Sequence, residues 1–313
     1  MEMKKENRSV SEMIADNHSK RSILKFTENT VPKFFLVCAS ISILTTLGIV
    51  FTLLFETFTF FKTISFFEFI TSKEWHPMHS NPNFGIRPLI TGTLLVSAIA
   101  VVVAVPIGLG AAIYLSEYAS EKRRKMIKPI LEVLAGVPTI VYGFFALTFV
   151  TPMLRQVIPD LSIYNALSPG IVVGIMIIPM IASLSEDAMS SVPNSIRQGA
   201  YALGSTKFEV AIKVVLPAAL SGVIASFVLA ISRAIGETMI VTVAGGANPT
   251  SAIDITSAIQ TMTAYIVQVS LGDATYGSTV YYSIYAVGMT LFVFTLVMNI
   301  LAHFISRKFR EEY

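Results

Sequence analysis

Gln198-Gly199-Ala200-Tyr201-Ala202-Leu203-Gly204, running on to Val214-Val215-Leu216-Pro217, is a polar interruption between two long apolar stretches. Most polar connections elsewhere in the chain are short. Soluble-looking sequence held between such stretches needs a partner in water, and the side on which it lies decides what that partner is.

The surroundings are those of a membrane protein. Of 313 residues, 53% are hydrophobic and 14% charged, with a mean hydropathy of +0.67. Soluble domains carry about 25% charged residues. The charges cluster between long uncharged runs. Cys38, the one cysteine, excludes an internal disulfide framework and offers no metal-ligand spacing. A net charge of +3 gives no nucleic-acid signature.

Six stretches approach or exceed the ~20 apolar residues that cross a bilayer: 34–55, 88–115, 127–154, 169–184, 218–244 and 280–305. The chain is therefore expected to be an all-α membrane protein with six transmembrane helices. Pro106, Pro138 and Pro179 fall inside these stretches. Such breaks are tolerated where neighbouring helices or cavity water satisfy the freed backbone groups, so a bundle lining a path is expected.

Lys and Arg set the orientation. One side collects Lys4, Lys5, Arg8, Lys20, Arg21, Lys25 and Lys33 before the first stretch, and Lys122, Arg123, Arg124, Lys125 and Lys128 after the second. It also collects Arg197, Lys207 and Lys213 after the fourth, and Arg307, Lys308 and Arg310 at the end. The other side has Lys62, Lys73, Arg87 and Arg155. The positive-inside rule places both termini and the polar interruption in the cytoplasm. The expected organisation is a cytoplasmic tail over 1–33, partly disordered, then a first helix and outer loop over 34–87. A permease core over 88–306 and a short cytoplasmic tail over 307–313 follow. His303 reads as interfacial. Residues 57–87, with Trp75, His76, Pro77 and His79, read as an interfacial loop, and two histidines without further ligands make no metal site. Ile253, Ile255, Ile259, Met262 and Ile266 roughly follow helical spacing, which predicts an outer or re-entrant helix between 250 and 271.

Within the interruption, Asn194-Ser195 is a plausible helix N-cap, followed by Ile196, Ala200 and Leu203 at helical spacing. Gly204 permits a turn that other residues make at a cost. A second helix from about Thr206 carries Phe208, Val210, Ile212 and Val215. Pattern alone leaves two readings of this elbow: a docking element for a groove on another protein, or an amphipathic loop packed on its own bundle.

The spacing resembles the EAA loop of binding-protein-dependent ABC importer permeases. Its elements here are Gln198-Gly199-Ala200, Gly204, Val214 and Leu216-Pro217, with Gln for Glu, Gly for the first Ala and Val for the usual Ile. The resemblance covers roughly residues 88–305. Other stretches are similar to the phosphate-importer branch of that family: Leu134-Ala135-Gly136-Val137-Pro138-Thr139, Glu186-Asp187-Ala188-Met189, and Ser232-Arg233-Ala234-Ile235-Gly236-Glu237-Thr238. The resemblance implies the type I (MetI-like) permease fold in a bacterial cytoplasmic membrane, with 191–217 as a coupling loop seated on a cytoplasmic ATPase. It implies a PstA-like sister permease, a PstB-like ATPase dimer and a PstS-like binding protein that delivers phosphate.

The chemistry of the fifth stretch bears on the cargo. A centred Arg costs about 2.5–3.5 kcal/mol on insertion scales, so Arg233 and Glu237 inside a span need a reason. Counted from Ala218, Arg233 lies ~23 Å along a helix, and residues four apart share a face. A guanidinium offers an oxyanion two parallel charge-assisted donors. The competing reading is a structural intrahelical pair. Ser232, Thr238 and Thr139 are candidate hydroxyl donors on the same path, although hydroxyls in spans often bond their own helix. Glu132 reads as a partner of Lys128, and Glu186 and Asp187 as facing the elbow or its basic residues.

No G-x-x-x-x-G-K-[ST] occurs, so ATP hydrolysis is expected in a separate subunit. No cofactor and no enzymatic triad is expected. The alternatives are a permease for phosphonate, sulfate or molybdate, and an ATP-independent anion carrier.

Overall fold

The computed structural model describes the backbone of residues 10–272 and 274–308, and side chains from Glu28 onward except at 29, 273, 302, 303 and 305–313. Lys4, Lys5, Arg8 and Arg310 lie outside the described residues, as do the side chains of Lys20, Arg21, Lys25, His303, Arg307 and Lys308. The chain divides into two units, Met1–Phe55 and Glu56–Tyr313.

Helix α1 spans Val10–Phe61, so part of the segment expected as a tail is helical. Its membrane-length portion, Thr30–Phe61, is apolar all round, with Phe34, Leu44 and Phe51 exposed. Such a helix has the composition of a membrane span.

In the second unit, α2 (Phe66–Thr71) leads into a two-stranded hairpin, β1 (Trp75–His76) and β2 (Asn83–Phe84), paired Trp75 to Phe84. Helix α3 runs Arg87–Ile113 and continues as a π-helical turn over Tyr114–Tyr118. After α4 (Glu121–Gly136) come α5 (Thr139–Phe145), a second π turn over Ala146–Val150, and α6 (Thr151–Arg155). Then follow α7 (Leu167–Ser190), α8 (Asn194–Ala202) and α9 (Lys207–Glu209). A third π turn (Val210–Val215) joins α9 to α10 (Leu216–Ala218), and α11 (Leu220–Ile235) and α12 (Met239–Ala244) come next. Helices α13 (Met262–Leu271) and α14 (Thr279–Lys308) complete the chain.

Four helices are long and apolar enough to cross a membrane, and two bent pairs bring the number to as many as six. The third predicted stretch breaks by 86° between Gly136 and Thr139. Pro138 has no N–H to donate and disfavours helical backbone at the residue before it. Val137 is accordingly extended, at φ −66° and ψ 131°. The fifth stretch is not one helix either. Its helix α11 stops at Gly236, before α12, and a 74° bend at Ala219 sets α11 off from the elbow chain that leads into it.

The interior forms three layers along α3. Leu89 joins an aromatic layer with Phe60, Phe69, Trp75, Phe84 and Tyr265. Val96, Ala100 and Ala104 join the middle layer, and Ala112 a third with Met189, Val192, Ala200, Val210 and Val215. From Leu89 to Ala112 is about 35 Å of helix, more than a ~30 Å hydrocarbon core. The aromatic layer and the elbow layer therefore sit at opposite ends of the crossing.

Trp75 is buried in that first layer, its ring 4.8 Å from Tyr265 and nearly perpendicular to it. The expected interfacial loop is thus a packed cap. The helix expected over 250–271 is formed only from Met262 onward. Thr261 caps it, accepting the Ala264 N–H, while Ile253 and Ile255 are exposed in irregular chain.

Helices α3 and α7 cross closely where small residues meet, as bundles in lipid require. A Cβ on Gly174 would lie 2.9 Å from the Ala100 carbonyl oxygen and 2.9 Å from Val103 Cβ.

Candidate functional site

The elbow is built from two capped ends. Helix α8 begins after an extended Pro193 rather than at an Asn194 cap. It stops where Gly204 takes φ +84°, which lets the Gly204 N–H reach the Tyr201 carbonyl at 2.9 Å and the Ser205 N–H reach Ala200 at 3.2 Å. Without a Cβ, Gly enters this left-handed region at little steric cost. Thr206 then starts α9 with a capping box: its hydroxyl accepts the Glu209 N–H, and the Glu209 carboxylate accepts the Thr206 N–H at 3.0 Å.

The elbow has two unlike faces. Ala200, Val210 and Val215 are buried in the third layer, with Val214 and Leu216 packed against it. On the other face Gln198, Gly199, Tyr201, Leu203, Phe208 and Pro217 are exposed, Leu203 at 89%. Exposed large apolar groups grouped at the tip of a capped elbow have the character of a docking element.

A buried ion pair fixes the elbow to the end of α3, and the sequence reading missed it. Arg197 Nη2 lies 3.1 Å from Glu117 Oε1, with the two side chains 13% and 4% exposed. The guanidinium also donates to the Met189 carbonyl at 2.7 Å and to the Val192 carbonyl. A Glu at the end of an apolar stretch, in Leu115-Ser116-Glu117, was the available signal.

A second cluster ties α4 to the same end of α7. Glu186 is fully buried and is paired with Arg124 and Lys128, and Ser190 donates to it at 2.9 Å. Lys128 Nζ also lies 3.0 Å from Asp187. Glu186 and Asp187 thus face α4, not the elbow. Lys128 is engaged with them rather than with Glu132.

Next to this cluster, α4, α7 and α11 enclose a cavity of about 440 Å³. Lys128, Glu132, Pro179, Ser183, Leu229 and Arg233 are among the residues lining it. Among the described residues Arg233 has no hydrogen-bond or ion-pair partner. It occupies the last turn of α11, ~20 Å from Leu220. The other path candidates lie elsewhere. Glu237 is beyond the end of α11, so the two are not four apart on one helix. It is buried and accepts the Ile240 N–H at 3.2 Å. Thr238 donates to the Gly236 carbonyl at 3.1 Å. Ser232 donates to Asn299 of α14 at 2.9 Å, and Thr139 is the first residue of α5.

Comparison with known proteins follows the same lines. Residues 104–311 match the family described as binding-protein-dependent transport system inner membrane component. Probable ABC transporter permease protein YqgH of Bacillus subtilis (strain 168) is 32% identical over 310 residues, covering 97% of this chain and 98% of that protein. Phosphate transport system permease protein PstC of Mesorhizobium japonicum is 33% identical over 258 residues, covering 75% of this chain and 77% of the relative. A solved bacterial ABC transporter involved in the import of the acidic polysaccharide alginate superposes with a TM-score of 0.63. That match has 17% identity and covers 92% of this chain and 99% of that one, a likeness of fold alone. The chain belongs to the family of binding-protein-dependent transport system inner membrane components, as a multi-pass permease of the type I ABC importer fold whose ATP hydrolysis resides in a separate subunit.

Proposed function

We propose that this permease carries inorganic phosphate, pairing with a PstA-like sister permease over a PstB-like ATPase dimer and receiving its cargo from a PstS-like binding protein. The elbow end then faces the cytoplasm, with both termini. The observation that carries the reading is Arg233, whose guanidinium has no partner among the described residues and lies on the wall of a cavity within the helical bundle. Leaving such a charge without a protein partner is costly unless something else serves it. A phosphate oxyanion accepts two parallel N–H donors from one guanidinium. Lys128 on the same wall is already neutralised by Glu186 and Asp187, so Arg233 is the cation left to attract an anion, with the Glu132 carboxylate lining the same cavity. The name of the Mesorhizobium relative supports phosphate over other oxyanions. Family membership removes the support for an ATP-independent carrier.

In this reading Glu237, Thr238 and Ser232 hold the break after α11, so that Arg233 stays at a helix end. Thr139 opens the helix beyond the opposite bend. Gln198, Gly199, Ala200, Gly204, Val214, Leu216 and Pro217 make up the coupling element. The test is ATP-driven uptake by the complete transporter in proteoliposomes. Arg233→Gln should slow phosphate uptake roughly tenfold or more, the loss of about 1.4 kcal/mol or more of binding in the path, while the ATPase stays bound. Uptake at the normal rate would remove Arg233 from the path. Uptake of sulfate or molybdate in preference to phosphate would replace the cargo.

A further inference from the structure

A second cavity, of about 430 Å³, lies at the other end of the molecule and is lined by Lys73, Arg87, Ile90, Thr91 and Ser251. We propose that it is a receiving site for a phosphate-type oxyanion at the mouth of the path, a proposal that rests on the transport reading above. Four observations support it. Arg87 is the first residue of α3, whose far end packs on the elbow layer, so this cavity and the elbow lie on opposite sides of the crossing. Among the described residues, neither the Lys73 ammonium nor the Arg87 guanidinium has a hydrogen-bond or ion-pair partner. No carboxylate is among the described lining residues. The uncapped start of a 27-residue helix adds positive potential from the backbone on the same wall.

The cavity wall is held in place by its backbone. Ser251 donates its hydroxyl to the Lys73 carbonyl at 3.1 Å, fixing the chain after α12 to the chain before β1. Ile90, on the same wall, packs against the aromatic layer that buries Trp75 and Phe84. The Thr91 hydroxyl, one turn along α3 from Arg87, has no protein partner among the described residues. Two cations and a free hydroxyl on a rigid wall suit a doubly charged tetrahedral anion, which takes charge-assisted bonds from several directions. The site differs from the Arg233 cavity in position and make-up. It would concentrate the anion where it first meets the permease.

The readout is acylation of Lys73 by a membrane-impermeant amine reagent in proteoliposomes of the complete transporter, followed by mass spectrometry. Lys62 serves as the internal reference, since it is exposed at the same end with its ammonium over the Phe58 ring at 5.3 Å. Inorganic phosphate, compared with chloride at matched ionic strength, should slow Lys73 acylation several-fold and leave Lys62 unchanged. Arg87→Gln should abolish that protection, and Arg87→Lys should restore most of it. Equal slowing of both lysines would mean simple screening and overturn the site.

Zwitterionic and phosphatidylglycerol vesicles separate the sources of the anion. Protection by the anionic lipid with none by free phosphate would make the occupant a lipid headgroup and overturn the receiving role. Protection by the anion-free binding protein alone would make this a protein docking surface, with the same consequence. The site and the cargo fail separately. Lys73 protected by phosphate without phosphate uptake sinks only the cargo, and uptake without protection sinks only this site.

Discussion

Glu117 and Arg197 tie the elbow to the end of α3 through a single pair. Both are nearly buried, and Arg197 also serves two main-chain carbonyls. Removing one partner of such a pair leaves an uncompensated buried charge, which costs about 3 kcal/mol or more. Glu117→Gln should therefore lower the melting temperature of the detergent-solubilised transporter by several degrees. Lys213→Ala, which removes the exposed partner of Glu209, should leave it unchanged. Equal effects from the two variants would show that the Glu117 pair does not anchor the elbow. Sequence reasoning assigned Arg197 only a side of the membrane, because its partner lies 80 residues away. Pairing at that range depends on how α3 and α8 meet, and no local pattern records it. Arg233 was legible because a charge in an apolar stretch stands out whatever it faces. Its relation to Glu237 was misread, since helical spacing was assumed to continue through Gly236.

The elbow was the most legible of the elements. A turn glycine, a Leu-Pro and an amphipathic pattern are local signals, and the structure places a helix end at Gly204 and a capped helix start at Thr206. A Cβ on Gly204 would meet nothing within 4 Å, so any effect of a side chain there comes from the backbone. An L-residue held at φ +84° costs roughly 1–2 kcal/mol, and a β-branched one more. Gly204→Val should loosen ATPase binding and reduce ATP-driven uptake, with membrane insertion and the yield of permease unchanged. Normal ATPase co-purification with normal uptake would refute a coupling role for the elbow. The size of the bend within the third crossing was not legible. Hydropathy averages over a window and continues across a bend as smoothly as across a turn of helix. Pro138 marked the place of the break, as Leu216-Pro217 marked the lead into the fifth crossing, but neither gives an angle.

For the whole molecule, the three layers along α3 predict an order of opening. Amides at the crossing of α3 and α7, between residues 97–108 and 170–182, are enclosed by the middle layer and by close glycine contacts. Those of α8 and α9 hang on one buried face and a pair of caps. Hydrogen exchange in detergent should therefore release α8 and α9 first and the crossing last. Exchange in the reverse order would mean that the glycine crossing is not the rigid part. The long apolar stretches were legible because the bilayer imposes a minimum length on a crossing, and four of them are helices of that length. The two cavities were not, because their walls come from segments far apart in the chain.

The π turn at Ala146–Val150 has a consequence of its own. Upstream, α5 must keep Gly143 against α12, where a Cβ would already lie 3.0 Å from Val243 Cβ. Downstream, Thr151 must give its hydroxyl proton to the Ala146 carbonyl, five residues back, at 3.0 Å, while its oxygen lies 2.8 Å from the Ser168 hydroxyl. An uninterrupted 3.6-residue spiral would be out of phase with one neighbour or the other. The wide turn works as a vernier, spending one extra residue to bring both faces to their marks. Deleting a single residue there would leave a longer, more regular helix, with everything after it rotated by about 100°. The crossing would gain helical regularity and lose its fit.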